Sequence, residues 1–284
     1  MSNVLRSIFV SLLPAVALYY LGASICHIIQ AGWSWTIIGR LLVAAAIAGF
    51  FAKLFLVPTA RTGQHLTAYT TAIVLGAVMN IVGSVLIDDL PYTSIAVSVV
   101  MLLLWIVYLK WYSVFVDRDK ETIQVGKRLL EFSLIDKDGN HVTSSDLYDK
   151  PTIWMFYRGN WCPLCMAQIK EVAADYQAIE TRGAQVALIS PQPHRFTIRL
   201  AEKHGVNLNF LTDPEAAAAK LLGIYAAHGT PTAMIPLGFE SDTVLPTIII
   251  TDKGGKIIYA DLTDNYRVRP EPAEFIKVLD EMSA

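Results

Sequence analysis

The sequence predicts an α-helical transmembrane bundle of four spans followed by an α/β domain, and three observations carry that expectation. The chain of 284 residues is 54% hydrophobic and only 17% charged. Its charge is unevenly placed, with five Lys/Arg and two Asp/Glu in residues 1–116 and 18 and 23 in the remainder. Beyond residue 117 the long apolar runs give way to short β runs with turn signals, alternating with helical stretches. The boundaries that follow are a four-helix membrane domain at 1–116, a charged linker at 117–122 and a second domain at 123–284. The second part carries a net charge of −5, ordinary for a soluble domain, and neither part has the basic surface that nucleic-acid binding needs.

Crossing ~30 Å of hydrocarbon takes roughly 20 apolar residues in a helix. Four runs meet that length, at residues 7–29, 35–57, 66–87 and 93–112, and their short connections predict a compact antiparallel bundle. The first run is long, has no basic cluster before it and is followed by three more, which speaks against a cleaved signal peptide. Orientation follows from Lys and Arg, which collect on the cytoplasmic side. Arg6, Lys53, Arg61, Lys110, Arg118, Lys120, Lys127 and Arg128 fall on one side, Arg40, Asp88 and Asp89 on the other, so both termini are expected in the cytoplasm. The expected localisation is a multi-pass protein of a bacterial inner membrane, with the lipid bilayer as its first partner.

Trp105, Tyr108, Trp111 and Tyr112 read as an aromatic belt where the fourth helix leaves the bilayer, with Lys110 reaching the headgroups. Two polar residues fall inside the spans. Asn80 shares a helix face with Gly76 and Gly83, a small-residue stripe suited to close helix packing with an amide bond across it, and Arg40 reads as interfacial. Cys26 reads as a small buried hydrophobe. No span carries a cysteine pair, so the bundle lacks the residues for passing electrons by thiol exchange.

In the second domain, residues 132–135 and 141–143 flank Asp138-Gly139-Asn140 as a hairpin, and 152–157 reads as a buried strand. A helix at 163–180, a strand at 185–190, a helix at 193–204, a strand at 209–211 and a helix at 214–222 follow. Pro246 then opens a hairpin with arms at 247–251 and 256–260 around Gly254-Gly255, and a last helix runs over 271–282. The chemistry centres on Cys162 and Cys165, a Cys-x-x-Cys pair at a strand-to-helix corner.

The segment Phe156-Tyr157-Arg158-Gly159-Asn160-Trp161-Cys162-Pro163-Leu164-Cys165 resembles the active-site segment of peroxiredoxin-like (AhpC/TSA) proteins, and also the strand-to-helix corner of thioredoxin. The resemblance extends through Val125-Gly126-Lys127, residues 132–146 and 183–190, and Leu245-Pro246-Thr247-Ile248 to Gly255, about residues 123–282 in all. It implies a thioredoxin-like fold, with Leu245-Pro246 as a cis peptide facing the dithiol and guiding the substrate.

A thiolate is the species that attacks sulfur or peroxide, and a free cysteine with a pKa near ~8.5 is mostly protonated at neutral pH. Cys162 stands at the start of a helix, with Arg158 nearby in sequence, and both features are expected to lower its pKa. Cys162 is therefore the expected nucleophile and Cys165, one turn on, the resolving cysteine; Arg158, Trp161 and Pro246 complete the candidate site. The pattern departs from peroxiredoxins, which carry Thr where this chain has Gly159 and Arg where it has Pro246. It departs from thioredoxin in having Phe156 at the place of a buried Asp.

Two enzymatic readings follow: reduction of disulfides, which the missing Thr and Arg favour, and reduction of hydrogen peroxide or lipid hydroperoxides. The thioredoxin or glutathione system is the expected electron donor in either case, with no cofactor. A redox-inert membrane scaffold that docks partners is the reading from another class. Scattered His141, His194, His204 and His228 give no ligand spacing for zinc. His228-Gly229-Thr230-Pro231-Thr232 reads as a plain loop, with lining of the active-site mouth as its alternative.

Overall fold

The computed structural model describes residues 2–87, 93–115, 118–204 and 207–283; Asp88 and Asp89, expected in an outer loop, lie outside the described residues. The chain forms two compact units, one of residues 8–58 and 62–114, the other of residues 1–7, 59–61 and 115–284.

The helical unit is built from α1 (Ser2–Ala31), α2 (Trp35–Leu56), α3 (Thr67–Val82) and α4 (Thr93–Val107). The last two continue as π-helical turns at Gly83–Ile87 and Tyr108–Tyr112. All four helices are long and apolar enough to cross a membrane. Ser34 starts α2 by accepting the Ile37 N–H at 3.2 Å, replacing one of the partners that a helix N-terminus lacks. α2, α3 and α4 pack on one another, whereas residues 8–31 of α1 bury only Leu13, Ala17 and Ser24. The compact four-helix bundle expected from the short loops is thus a three-helix core with a peripheral helix.

The α2–α3 contact is backbone on backbone. A Cβ on Gly39 would lie 2.5 Å from the Gly76 carbonyl oxygen and 2.5 Å from the Asn80 nitrogen. At this seam Asn80 Nδ2 donates to the Thr36 carbonyl (2.8 Å) and to Ser94 Oγ (3.0 Å), joining three helices. Arg40 Nε donates to Ser24 Oγ at 3.0 Å. Two expectations fail in this unit. Cys26 is exposed, because its side of α1 faces away from the other helices. Trp105, Tyr108 and Tyr112 are buried rather than forming an interfacial belt. The π-helical turn brings Tyr108 and Tyr112 into a stack at 5.6 Å, and Tyr108 also lies against Phe50, Phe51 and Trp105.

In the other unit a seven-stranded sheet runs in the order β2-β1-β5-β4-β3-β8-β9. The strands are β1 (Ser133–Asp136), β2 (His141–Thr143), β3 (Thr152–Phe156), β4 (Gln185–Ser190), β5 (Asn209–Thr212), β8 (Thr247–Thr251) and β9 (Ile257–Asp261), with β6 (Tyr225–Ala226) and β7 (Thr243–Val244) as a separate pair. β3, β4 and β5 are parallel, and β8 and β9 join antiparallel. β3 and β8 are buried along their whole length, which is why they read as unbroken apolar runs. Trp154, Phe156, Ala187, Ile189 and Ile249 belong to one hydrophobic cluster. The helices are α5 (Pro163–Ala174), α6 (Tyr176–Glu180), α7 (His194–Lys203), α8 (Ala217–Leu221) and α9 (Pro272–Ser283). A dithiol corner between β3 and α5, parallel strands beside it and a closing antiparallel hairpin are the features of a thioredoxin-like α/β fold.

Three details differ from expectation. The helix foreseen at 163–180 breaks at Asp175, whose N–H closes α5 on the Glu171 carbonyl while its own carbonyl accepts from Ala178 and Ile179. The helix foreseen at 214–222 begins as a 3-10 turn, Pro214–Ala216, with Glu215 and Ala216 at positive φ. Among the described residues no peptide bond is cis, so Leu245-Pro246 is trans, the form that X–Pro bonds prefer by ~0.5–1 kcal/mol. In this arrangement the Leu245 N–H donates to the Ile224 carbonyl (2.7 Å), and Arg118 holds the Pro246 carbonyl (2.9 Å) and Thr247 Oγ1 (2.6 Å).

Candidate active site

β3 runs out at Phe156, and the five residues that follow turn the chain into α5. Pro163 takes the first helical position, where the N–H it lacks would have had no intrahelical partner, and Cys162 is the N-cap, its Sγ accepting the Cys165 N–H at 3.3 Å. Gly159 makes the turn with φ +145, and a Cβ there would lie 2.7 Å from Trp161 Nε1. The Thr that peroxiredoxins carry is therefore excluded by backbone and indole together. Gln192, which follows β4, fixes the loop: its Oε1 accepts the Asn160 N–H (2.9 Å) and its Nε2 donates to Tyr157 Oη (3.1 Å) and Asn160 Oδ1 (3.1 Å).

Both thiols are free and buried, Cys162 being 2% and Cys165 0% exposed. Arg158 was the cation expected beside them. Its guanidinium lies over the rings of Trp161 (4.6 Å) and Tyr266 (5.8 Å) and donates to the Gly229 carbonyl at 2.5 Å. Thr243 Oγ1 holds the Arg158 carbonyl at 2.7 Å. The segment at 228–232, expected to be a plain loop, thus supports Arg158 through Gly229.

The residue that sequence reasoning missed is Arg269. It is buried, and its Nη1 and Nη2 each lie 3.5 Å from Cys165 Sγ, with Nη2 also 3.9 Å from Cys162 Sγ. Gln168 Oε1 accepts from Nη1 (3.0 Å) and the Tyr266 carbonyl from Nε (2.9 Å), which fixes the guanidinium plane. Beside it is a cavity of about 10 Å³ lined by Phe156, Gln168, Pro246, Asp261, Tyr266 and Arg269, enough for about one water. Pro246, in the trans form, lines this cavity.

Burial, the neighbouring sulfur and the nearby cations together displace the two thiols in opposite directions. Burial works against a charge on Cys165, but the Cys162 thiol, the Arg269 charge and the Arg158 N–H outweigh it and hold the Cys165 thiol at about 5. Burial pushes the Cys162 thiol up, as do its hydrogen bond to Cys165 and the charge there, against the pull of Arg269 and Arg158. Two thiols this close titrate as a pair rather than separately. Arg158, one of the two features readable in the sequence, pulls the Cys162 thiol down as expected, but burial and the neighbouring sulfur work against it.

Residues 125–260 match the AhpC/TSA family. Among curated relatives, a putative peroxiredoxin (bcp) of Helicobacter pylori is 28% identical over 109 residues, 38% of this chain and 70% of the relative. The thiol-disulfide oxidoreductase ResA of Bacillus thuringiensis is 25% identical over 142 residues, 49% of this chain and 70% of the relative. A crystal structure of the peroxidoxin BcpB from Mycobacterium tuberculosis superposes with a TM-score of 0.48 at 17% identity, covering 57% of this chain and 99% of that one. The chain is a thiol-dependent redox enzyme, of the thiol-disulfide oxidoreductase or thiol peroxidase kind. Arg269 lies outside the matched residues, in Asp264-Asn265-Tyr266-Arg267-Val268-Arg269-Pro270. Its only signal in sequence is a pair of arginines in a short connection between strand and helix.

Proposed function

We propose that this chain is a membrane-anchored thiol peroxidase in which Cys162 attacks hydrogen peroxide or an organic hydroperoxide and Cys165 resolves the product. The observation that carries the reading is a closed dithiol with a guanidinium on its sulfurs: Cys162 is 2% exposed, and Arg269 reaches both thiols. A peroxide is small enough for such a site, and a guanidinium on the sulfurs favours the thiolate that peroxide reduction needs. Cys162 becomes a sulfenic acid as the alcohol or water leaves. Cys165 then attacks Cys162 Sγ, the S–O bond breaks, and a second water forms with the internal disulfide. Two electrons from the thioredoxin or glutathione system restore the dithiol. Tyr266 and Pro246 line the small cavity beside Arg269, and Arg158 lies over the Trp161 ring.

Disulfide reduction is the second reading, favoured by the Cys-x-x-Cys spacing and by the similarity to ResA; it requires the groups that bury Cys162 to move aside for a bulky disulfide. The four apolar helices anchor the enzyme, and the Lys/Arg distribution supports a cytoplasmic C-terminal domain. The deciding experiment is stopped-flow oxidation of the reduced full-length chain in lipid nanodiscs by hydrogen peroxide, a lipid hydroperoxide and a model disulfide. Oxidation by peroxide much faster than that of free cysteine supports the first reading; reaction with the disulfide alone supports the second. If neither outpaces free cysteine, both readings fall.

A further inference from the structure

A Cys-x-x-Cys pair at a helix start ordinarily directs attention to its first sulfur, which here accepts the Cys165 N–H at 3.3 Å. The side chains around the pair are arranged differently. Both terminal nitrogens of Arg269 straddle Cys165 Sγ at 3.5 Å, and only one of them reaches Cys162, at 3.9 Å. The guanidinium cannot drift toward Cys162 without losing its bond to Gln168, which stands one turn beyond Cys165 on the same helix, or its bond to the Tyr266 carbonyl. A buried guanidinium also needs an anion close by. Gln168 and the carbonyl are neutral, so the sulfurs are the groups in contact that can supply one.

The other ionisable groups around the pair do not take that place. Arg158 is engaged with Gly229 and two aromatic rings. Burial pushes the Tyr157 phenol up, and the charge on Cys165 pushes it further, so it stays neutral. Tyr266 gives its carbonyl to Arg269. Asp261, from β9, lines the neighbouring cavity and accepts from the Thr263 N–H (3.1 Å) and Oγ1 (2.5 Å).

We propose that Arg269 holds the charge of the reduced dithiol on Cys165, so that the inner cysteine acts first as the base for Cys162 and then as the resolving nucleophile. The chemistry rests on the peroxide reading above. As Cys162 Sγ attacks one peroxide oxygen, its proton passes to the Cys165 thiolate and the O–O bond breaks. The departing alkoxide or hydroxide takes that proton back from Cys165 and leaves as alcohol or water. Cys165, again a thiolate, attacks Cys162 Sγ, the S–O bond breaks, and hydroxide leaves to be protonated by solvent. Each sulfur has given up one electron, and the two oxygens of the peroxide have gained the two. Arg269 touches no reacting oxygen in this scheme; it is a positioning residue that acts through Cys165.

The test is an ultraviolet thiolate titration of the reduced full-length chain in nanodiscs, in a Cys26→Ser background. No peroxide is used, so the result stands or falls independently of the peroxidase reading. Cys162→Ser, whose hydroxyl still donates toward Cys165, is expected to keep a thiolate signal with a midpoint near about 5, and Cys165→Ser to lose it. Arg269→Gln is expected to raise the midpoint by about one unit or more, a tenfold change in the acid constant, and Arg269→Lys to restore part of that shift. The Lys variant also serves where Gln prevents folding. Survival of the acidic titration in Cys165→Ser but not in Cys162→Ser would overturn the proposal, as would an unmoved midpoint in both Arg269 variants.

Discussion

The helical unit and the α/β unit both bury polar side chains, and they put them to opposite uses. At the α2–α3 seam the buried groups are neutral: Asn80 bonds the Thr36 carbonyl and Ser94, and Thr36 Oγ1 lies 3.2 Å from Ser84 Oγ. Neutral hydrogen bonds between helices add modest stability, ~0.6 kcal/mol on average inside a bilayer, and leave nothing to ionise. At the dithiol corner of the α/β unit the buried groups include a guanidinium and two thiols whose ionisation is displaced in opposite directions. Burial there raises the energetic stakes of each proton, the condition under which reactive groups are tuned. The same low-dielectric environment thus gives fixed geometry in one unit and chemistry in the other.

The contrast breaks most visibly at the dithiol. Cys162→Ser is expected to lower peroxide turnover by roughly 10³-fold or more, while Asn80→Leu leaves turnover per folded molecule unchanged; donor oxidation in nanodiscs measures both. Cys165→Ser, which removes both the base and the resolving sulfur, is expected to slow the oxidation of Cys162 and to leave it, once oxidised, as a sulfenic acid, seen as a dimedone adduct by mass spectrometry.

Overpacking gives the next largest effect, on the structural side. Gly39→Val forces side-chain atoms into the Gly76 and Asn80 backbone, an insertion that costs ~1–3 kcal/mol or more. Gly159→Thr, which restores the residue type of peroxiredoxins, is expected to displace Trp161 and to lower activity rather than raise it, because the backbone at φ +145 and the indole both oppose a Cβ. Thermal unfolding followed by tryptophan fluorescence reports both variants.

A subtler effect sharpens the distinction between neutral and ionisable burial. Cys165 in the fold loses its proton at about 5, far below an unfolded cysteine at ~8.5. Between those values the unfolded dithiol binds more protons than the native one, so the stability of the reduced form rises with pH across that window and is lost as pH falls through the folded value. Above it the raised Cys162 reverses the sign, since the native state then holds the extra proton. The disulfide form has neither dependence. Its reduction potential is accordingly expected to fall by ~30 mV per pH unit between about 5 and 8, one proton per two electrons, steepening to ~59 mV below that; equilibration with glutathione at several pH values measures the slope. The smallest effect is expected from Thr243→Val, which removes one bond to the Arg158 carbonyl at a cost of ~0.5–1.5 kcal/mol.

Much of this molecule is written in local sequence. Ser34 before an apolar helix, Pro163 at the first position of α5 and Gly139 in the tight turn between β1 and β2 each act through their own backbone geometry, which neighbours in the chain dictate. The four apolar runs, the buried strands β3 and β8 and the dithiol corner were legible for the same reason: hydrophobic period and turn chemistry are short-range signals. What stayed hidden depended on contacts distant in the chain. Arg269 stands 104 residues from Cys165, in a segment whose composition gives no hint that it folds back on α5. The inward turn of Tyr108 and Tyr112 needs Phe50 and Phe51 across the bundle, and the trans peptide at Pro246 is accompanied by Arg118 on its carbonyl. The sequence by itself determined the order of elements and the reactive pair, because those follow from residues near one another. Only the tertiary structure decided what stands beside those sulfurs, because the buried cation reaches them through space from 104 residues beyond Cys165 in the chain.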